Sequence, residues 1–367
     1  MAKFKLDKEK ISKIVQQIKK ILADLFAKVR QYPFARKIKT FQSKIKLPAK
    51  LKNLSLYKKV KNKLKWLASS WKILSFFIPL FIFFYYTLGS LLTEDIDTRS
   101  EYTAENRDAP IFTTADTMSF LLKSEIDEKM WTPNLPIIFP AYILDNMPNF
   151  QIGVVNGVKT MASAMRKFNN TEKQQKDIKE AYKLLGYSPY VWLMSKQDKF
   201  KLAPSSNSQY RKAAKNLRQY AQDGIFVATA DDLRFVLRRF AKNLRKLTSK
   251  NEEWVQEHSS DFIDNQADDL FYYSRGYAYA LWQISKNLGV DFKNVIIDNN
   301  VYEDWTYLQT SLKKAAQMNP LIVRNGKITA LFSANHLMGQ NYYLMRAVAM
   351  AEKINNKLLQ VEDVPEN

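Results

Sequence analysis

The sequence predicts a mainly α protein with a basic amphipathic N-terminal helix, one transmembrane helix and a large, bundle-like helical extracytoplasmic domain. Three observations carry this. Residues 73–92 contain no charge, Lys and Arg are concentrated before that run, and helical periods dominate after it. Four regions follow: a leader over 1–72, a membrane helix over 73–92, an acidic linker over 93–111 and a helical domain over 112–367.

In the leader, Ile11, Ile14, Val15, Ile18, Ile21, Leu22, Leu25 and Val29 recur at helical spacing with Lys filling the remaining face. Pro33 and Pro48 interrupt the pattern before a second Lys-rich stretch over 50–65. Residues 1–72 hold 22 Lys and Arg against Asp7, Glu9 and Asp24, a net +19. The whole chain carries +21, so residues 73–367 sum to +2. Charge confined to one end beside an apolar run is read as contact with an anionic lipid surface, with nucleic acid as the weaker alternative.

Ile73 to Leu92 are twenty residues, which at about 1.5 Å rise per residue span a hydrocarbon core of roughly 30 Å. Trp66 and Trp71 with Lys65 and Lys72 mark the entry, and Pro79 lies within the span. The flank beyond opens with Glu94, Asp95, Asp97, Glu101, Glu105 and Asp108 against Arg99 and Arg107. Lysine held before the span predicts a cytoplasmic N-terminus, an uncleaved signal anchor and a periplasmic C-terminal domain in the inner membrane.

In the helical domain, Thr113, Thr114 and Asp116 are candidate caps for a first helix, and Thr229-Ala-Asp-Asp232 reads as a capping box. Leu233 to Leu247, Tyr210 to Tyr220 and Leu270 to Leu288 each show one apolar helical face. Further helices are expected over 301–318 and 336–358, and residues 321–328 are a candidate hairpin or interhelical loop. Residues 131–153 carry Pro133, Pro136, Pro140 and Pro148 and read as an ordered loop, with Asn134, Asp145, Asn146 and Asn149 as turn residues.

That stretch also carries a resemblance. Trp131-Thr-Pro-Asn134, Pro140 and Leu144-Asp145-Asn146-Met-Pro148-Asn149-Phe150-Gln151 with Gly153 resemble the signature of a bacterial envelope family catalogued as domain of unknown function 2333. Tyr210 with Tyr220, Ala230-Asp-Asp-Leu233, Asp269-Leu-Phe-Tyr272 continuing to Arg275-Gly276, and Asn325-Gly326 extend the likeness over roughly 73–358. Where the family tends to have an Arg-Ala-Asp-Asn-Leu run, this chain has Thr229-Ala-Asp-Asp-Leu233. The resemblance implies a single-pass envelope protein and no particular reaction.

The chemistry on offer is sparse. There is no cysteine, so disulfides, thiolate metal sites and a Cys nucleophile are excluded. His258 and His336 stand far apart in no zinc motif, and no phosphate-cradling glycine pattern occurs. No cofactor or metal is expected. Glu125, Asp145, Asp268 and Asp269 are the carboxylates from which a hydrolase pair could be drawn. The blander reading lets Asp145 order its loop and Asp268 and Asp269 cap a helix, with Arg275 paired to a loop carboxylate such as Asp145. The expected function is therefore non-enzymatic, a scaffold presenting residues 131–153 to an envelope partner; the alternative is a carboxylate-dependent peptidoglycan hydrolase.

Overall fold

A computed structural model describes residues 75–98, 112–193, 202–222, 226–259, 264–327 and 334–362; the amphipathic leader and most of the acidic linker lie outside these. The chain divides into two units, Met1–Leu80 and Phe81–Asn367, and of the first only residues 75–80 are described. Helix α1 (Ser75–Thr93) has a mean hydropathy of 1.7 and none of its apolar window is buried, so by length and composition it can cross a membrane. Among the described residues the second unit holds no strand, and Asn325 and Asn335 form an isolated antiparallel bridge. The fold class is thus the helical one expected.

Helix α2 (Thr113–Lys123) opens the domain and runs directly into a π-helical turn, Ser124–Glu128. Its first amides are not capped locally. Asp291, 177 residues away, accepts both N–H and both hydroxyl groups of Thr113 and Thr114, so the cap anticipated from local residues is supplied across the fold. The expected loop over 131–153 ends at Leu144. A 3₁₀ turn, Pro140–Ile143, leads to Asp145, whose carboxylate accepts the Asn146 N–H and starts α3 (Asn146–Met165). Pro148 sits in the first turn of that helix, where its missing N–H costs nothing.

Helix α4 (Glu172–Leu185) begins with a complete capping box between Thr171 and Gln174. Helix α5 (Ser206–Gln222) buries Tyr210, Ala213, Leu217 and Tyr220, as its spacing predicts. Helix α6 (Ala230–His258) starts where Thr229 accepts the Asp232 N–H. Helix α7 (Asn265–Asp291) is capped by Asp264, not by Asp268 or Asp269, which lie within its first turns. Short α8 (Lys293–Asp298), α9 (Tyr302–Gln317) and α10 (His336–Glu362) complete the order, the last two within a few residues of expectation.

The centre is the α3–α7 pair. A Cβ on Gly153 would lie 2.2 Å from the Tyr273 carbonyl oxygen, and one on Gly157 2.6 Å from the Ala280 Cβ. From the other side, a Cβ on Gly276 would lie 2.0 Å from the Phe150 carbonyl oxygen. Two helix backbones therefore touch, and only hydrogen fits between them. Helix α6 packs on α10, α9 lies against α7 and α10, and α5 lies against α2 and α4. Asn251 donates to Ser274 and Asn341, and Asn341 donates to the Thr248 carbonyl, a buried amide chain joining α6, α7 and α10.

Candidate functional site

Two regions at opposite ends of α3 hold the side chains with chemical potential. The first is the motif-bearing end. Trp131 is fully buried, donates through Nε1 to the Pro189 carbonyl, and meets the Tyr210 ring edge to face at 5.1 Å. Asn134 is buried and donates to the Val191 carbonyl and to Asn207. Gln151 is the knot: its oxygen accepts the N–H and hydroxyl of Thr132, and its amide donates to the carbonyls of Glu125 and Met130. Phe150 and Gly276 form the backbone contact described above. These motif residues are used up in holding the fold.

Asp145, Asp268 and Asp269 do come together. Burial, then the neighbouring charges of Asp145, Asp269 and Glu94, push the Asp268 carboxyl up to about 6. Asp269 is raised by burial and by Asp145, opposed by the Asn149 amide that donates to it at 2.7 Å. The Tyr272 hydroxyl is raised by burial and by Asp268. Asp145, Asn149, Pro148 and Asp269 border a depression of about 280 Å³. Glu125 is not part of this group. It is buried beside Lys129, whose Nζ lies 3.1 Å from Oε1, and burial raises its carboxyl despite that partner.

The expected pairing of Arg275 with Asp145 is absent. Arg275 is buried but donates to the Ala316 carbonyl, to Asn319 and to Thr98, with its guanidinium 5.7 Å from the Tyr272 ring centre. Neutral oxygens satisfy it, and burial depresses its pKa. Neither histidine faces a cluster: His258 stacks on Trp254 at 3.7 Å, and His336 accepts the Arg324 N–H.

Beside the motif end stands α1. Tyr85 donates to the Ile138 carbonyl at 2.7 Å, Tyr86 donates to the Ile137 carbonyl, and Gly89 lies so close to Pro140 that a Cβ would be 2.4 Å away. Ile137, Ile138, Tyr142 and Ile143 are more than half exposed, and Tyr190, Trp192 and Leu193 add further exposed apolar surface.

The second region was not anticipated. The far half of α3, with α4, α6 and α7, encloses a groove of about 1190 Å³. Lys159 of α3, Arg166 and Lys167 just past its end and Lys179 of α4 line it, facing Arg239, Lys246 and Lys250 of α6, and Glu253 is its one carboxylate. Its floor is neutral: Tyr277 shares a 2.7 Å hydrogen bond with Thr160, to which Asn243 also donates. Burial keeps the Tyr277 and Tyr273 hydroxyls protonated, the latter pushed up to about 12. The sequence carried a signal for this groove, since seven cations and no carboxylate fall between Leu233 and Asn251. A near-zero sum over residues 73–367 conceals it.

A family model described as an uncharacterized protein conserved in bacteria (DUF2333) matches residues 133–263 and 248–361. No curated protein and no solved structure matches the chain.

Proposed function

The chain belongs to this family of uncharacterized bacterial proteins, and we propose that it is a single-pass inner-membrane protein whose periplasmic helical domain is a non-enzymatic scaffold. In this reading the basic leader rests on the anionic cytoplasmic leaflet, and residues 137–143 meet the outer leaflet around the emerging helix. The seating of that segment on α1 carries the reading. A lipid-facing loop is tolerable only where its backbone polar groups find partners, and the Tyr85 and Tyr86 hydroxyls supply them to Ile138 and Ile137. The side chains left outward are apolar, and Tyr142, Tyr190 and Trp192 suit the interfacial belt. Tyr85 precedes the end of α1 by eight residues, about 12 Å along the helix, which sets the depth of the tip.

The absence of native cysteine makes a clean test. Single cysteines replacing Lys183, Ser43 and Ile138 are offered a membrane-impermeant maleimide. Lys183→Cys reacts in intact spheroplasts, Ser43→Cys only after lysis, and Ile138→Cys only in detergent. Reversed labelling of the first two overturns the orientation, and free labelling of Ile138→Cys in intact membranes overturns the lipid contact.

The acidic trio supports a second reading, a peptidoglycan hydrolase in which protonated Asp268 is the acid and Asp145 or Asp269 the base. Release of soluble muropeptides from sacculi by the detergent-solubilised chain, abolished in Asp268→Asn, would replace the scaffold reading with this one.

A further inference from the structure

From the groove between α3, α4, α6 and α7 we infer a binding site for a ligand carrying two or three phosphate groups. Its lining cations repeat at one- and two-turn intervals: Lys159 of α3 and Arg166, the C-cap that continues its helical backbone, are seven apart, while Arg239, Lys246 and Lys250 follow at seven and four on α6. Such spacing keeps each set on one helix face, so the three helices aim positive charge into one concavity.

Among the described residues only Glu253 offsets it. Among the described residues, none of the seven lining cations forms an ion pair, whereas Arg211, Arg218, Arg234, Arg245, Lys353 and Lys357 elsewhere do. Arg166 is held by its guanidinium 4.5 Å from the Tyr182 ring centre, and its Nε is buried without a hydrogen-bond partner. Lys159 approaches the same ring at 5.8 Å. Stacking fixes these cations in place and leaves their N–H groups for a ligand. Crowded like charge in a concavity opposes folding and focuses a field that draws anions.

The phosphate class follows from charge and volume. Seven cations against Glu253 leave a large positive excess within about 1190 Å³. Each phosphate brings about 1.5 to 2 negative charges and three acceptor oxygens, so two or three of them match that excess in a small ligand. Carboxylates bring one charge and two acceptors apiece, and as many would have to be crowded into the same space. The neutral floor of Thr160, Asn243 and Tyr277 then presents hydroxyl and amide groups to the uncharged part of the ligand. This inference is independent of the membrane topology, because the groove lies wholly within the helical domain.

The test uses the full chain in neutral detergent micelles, titrated with inorganic tripolyphosphate and, separately, with diphosphoryl lipid A, which carries two phosphate monoesters, in mixed micelles, phosphatidylcholine being the blank. Binding to at least one probe is expected at about 50 mM salt, weakening steeply by about 200 mM. The exposed double variant Lys246→Gln/Lys250→Gln should lose at least tenfold in affinity while retaining the wild-type helical spectrum and melting temperature. Arg166→Gln should do the same, and Lys183→Gln, outside the groove, should bind as wild type. Response to tripolyphosphate assigns a soluble phosphate ligand, and response to lipid A alone assigns a lipid headgroup. Failure to bind either probe, equal affinity in the groove variants, or equal affinity for polyglutamate or duplex DNA overturns the inference.

Discussion

Near the start of α3, Asp145 caps its own helix while Asn149 and Gln151 meet partners from α7 and the preceding loop, and the charge of the neighbouring α7 carboxylates is masked by an amide, burial or a shifted protonation state. At the far end of the same helix and just past it, Lys159, Arg166 and Lys167 face an open groove whose one carboxylate is Glu253. Residues that draw the eye in the sequence are thus mostly structural, while those left available are unremarkable surface lysines and arginines. An unusual motif marks a demanding place in the fold, and a site is better sought where polar groups are left unsatisfied.

The contrast can be broken from either side. The largest effect is expected from Gly276→Ala. The added Cβ meets the Phe150 carbonyl and cannot be relieved by a side-chain shift, so a loss of about 3 kcal/mol or more is expected in denaturant unfolding. Gln151→Ala comes next. Four hydrogen bonds, three of them buried, are lost and the Thr132 N–H loses its partner, a loss of about 2–4 kcal/mol. If either variant unfolds like wild type, the motif is not the structural device described above.

Asp268→Asn sharpens the picture with a gain. The folded carboxyl titrates near 6 against an ordinary 3.8, so its destabilising effect is absent below about pH 4 and complete above about pH 6. The amide variant should be more stable than wild type by roughly 1–2 kcal/mol at pH 7, with the difference vanishing near pH 4 in parallel melts. Smallest of all is Lys246→Gln/Lys250→Gln, expected within about 0.5 kcal/mol of wild-type stability. A larger stability loss there would place the groove lysines in the fold's support, not in binding.

Much of the helical order was legible. Thr229 announces α6 because a capping hydroxyl and its N–H lie three residues apart, and the Leu233–Leu247 stripe requires only helical spacing. The same logic reached α5, α9 and α10. It stumbled where partners are distant: the amides that open α2 are held by Asp291, and Asp264, not Asp268, caps α7. The prolines of 131–153 suggested an unbroken loop, yet Pro148 stands where a helix needs no N–H, so α3 begins two residues earlier. Arg275 was paired with a carboxylate because a buried cation ordinarily has one, and here carbonyl, amide and hydroxyl oxygens take its place.

What the sequence determined alone is what acts over a turn or two of chain: a helical class, one apolar stretch long enough to cross a bilayer, the lysine-rich leader before it, and the Thr229 cap of α6. These rest on hydrogen bonds and periodicities among residues no more than a few positions apart. The tertiary structure decided which carboxylates crowd together, which motif residues are spent on support, and that seven cations from three helices and the turn after α3 share one groove. Such meetings depend on how closely helix backbones approach and at what rotation, and Gly153, Gly157 and Gly276 set that only once α3 and α7 are in contact.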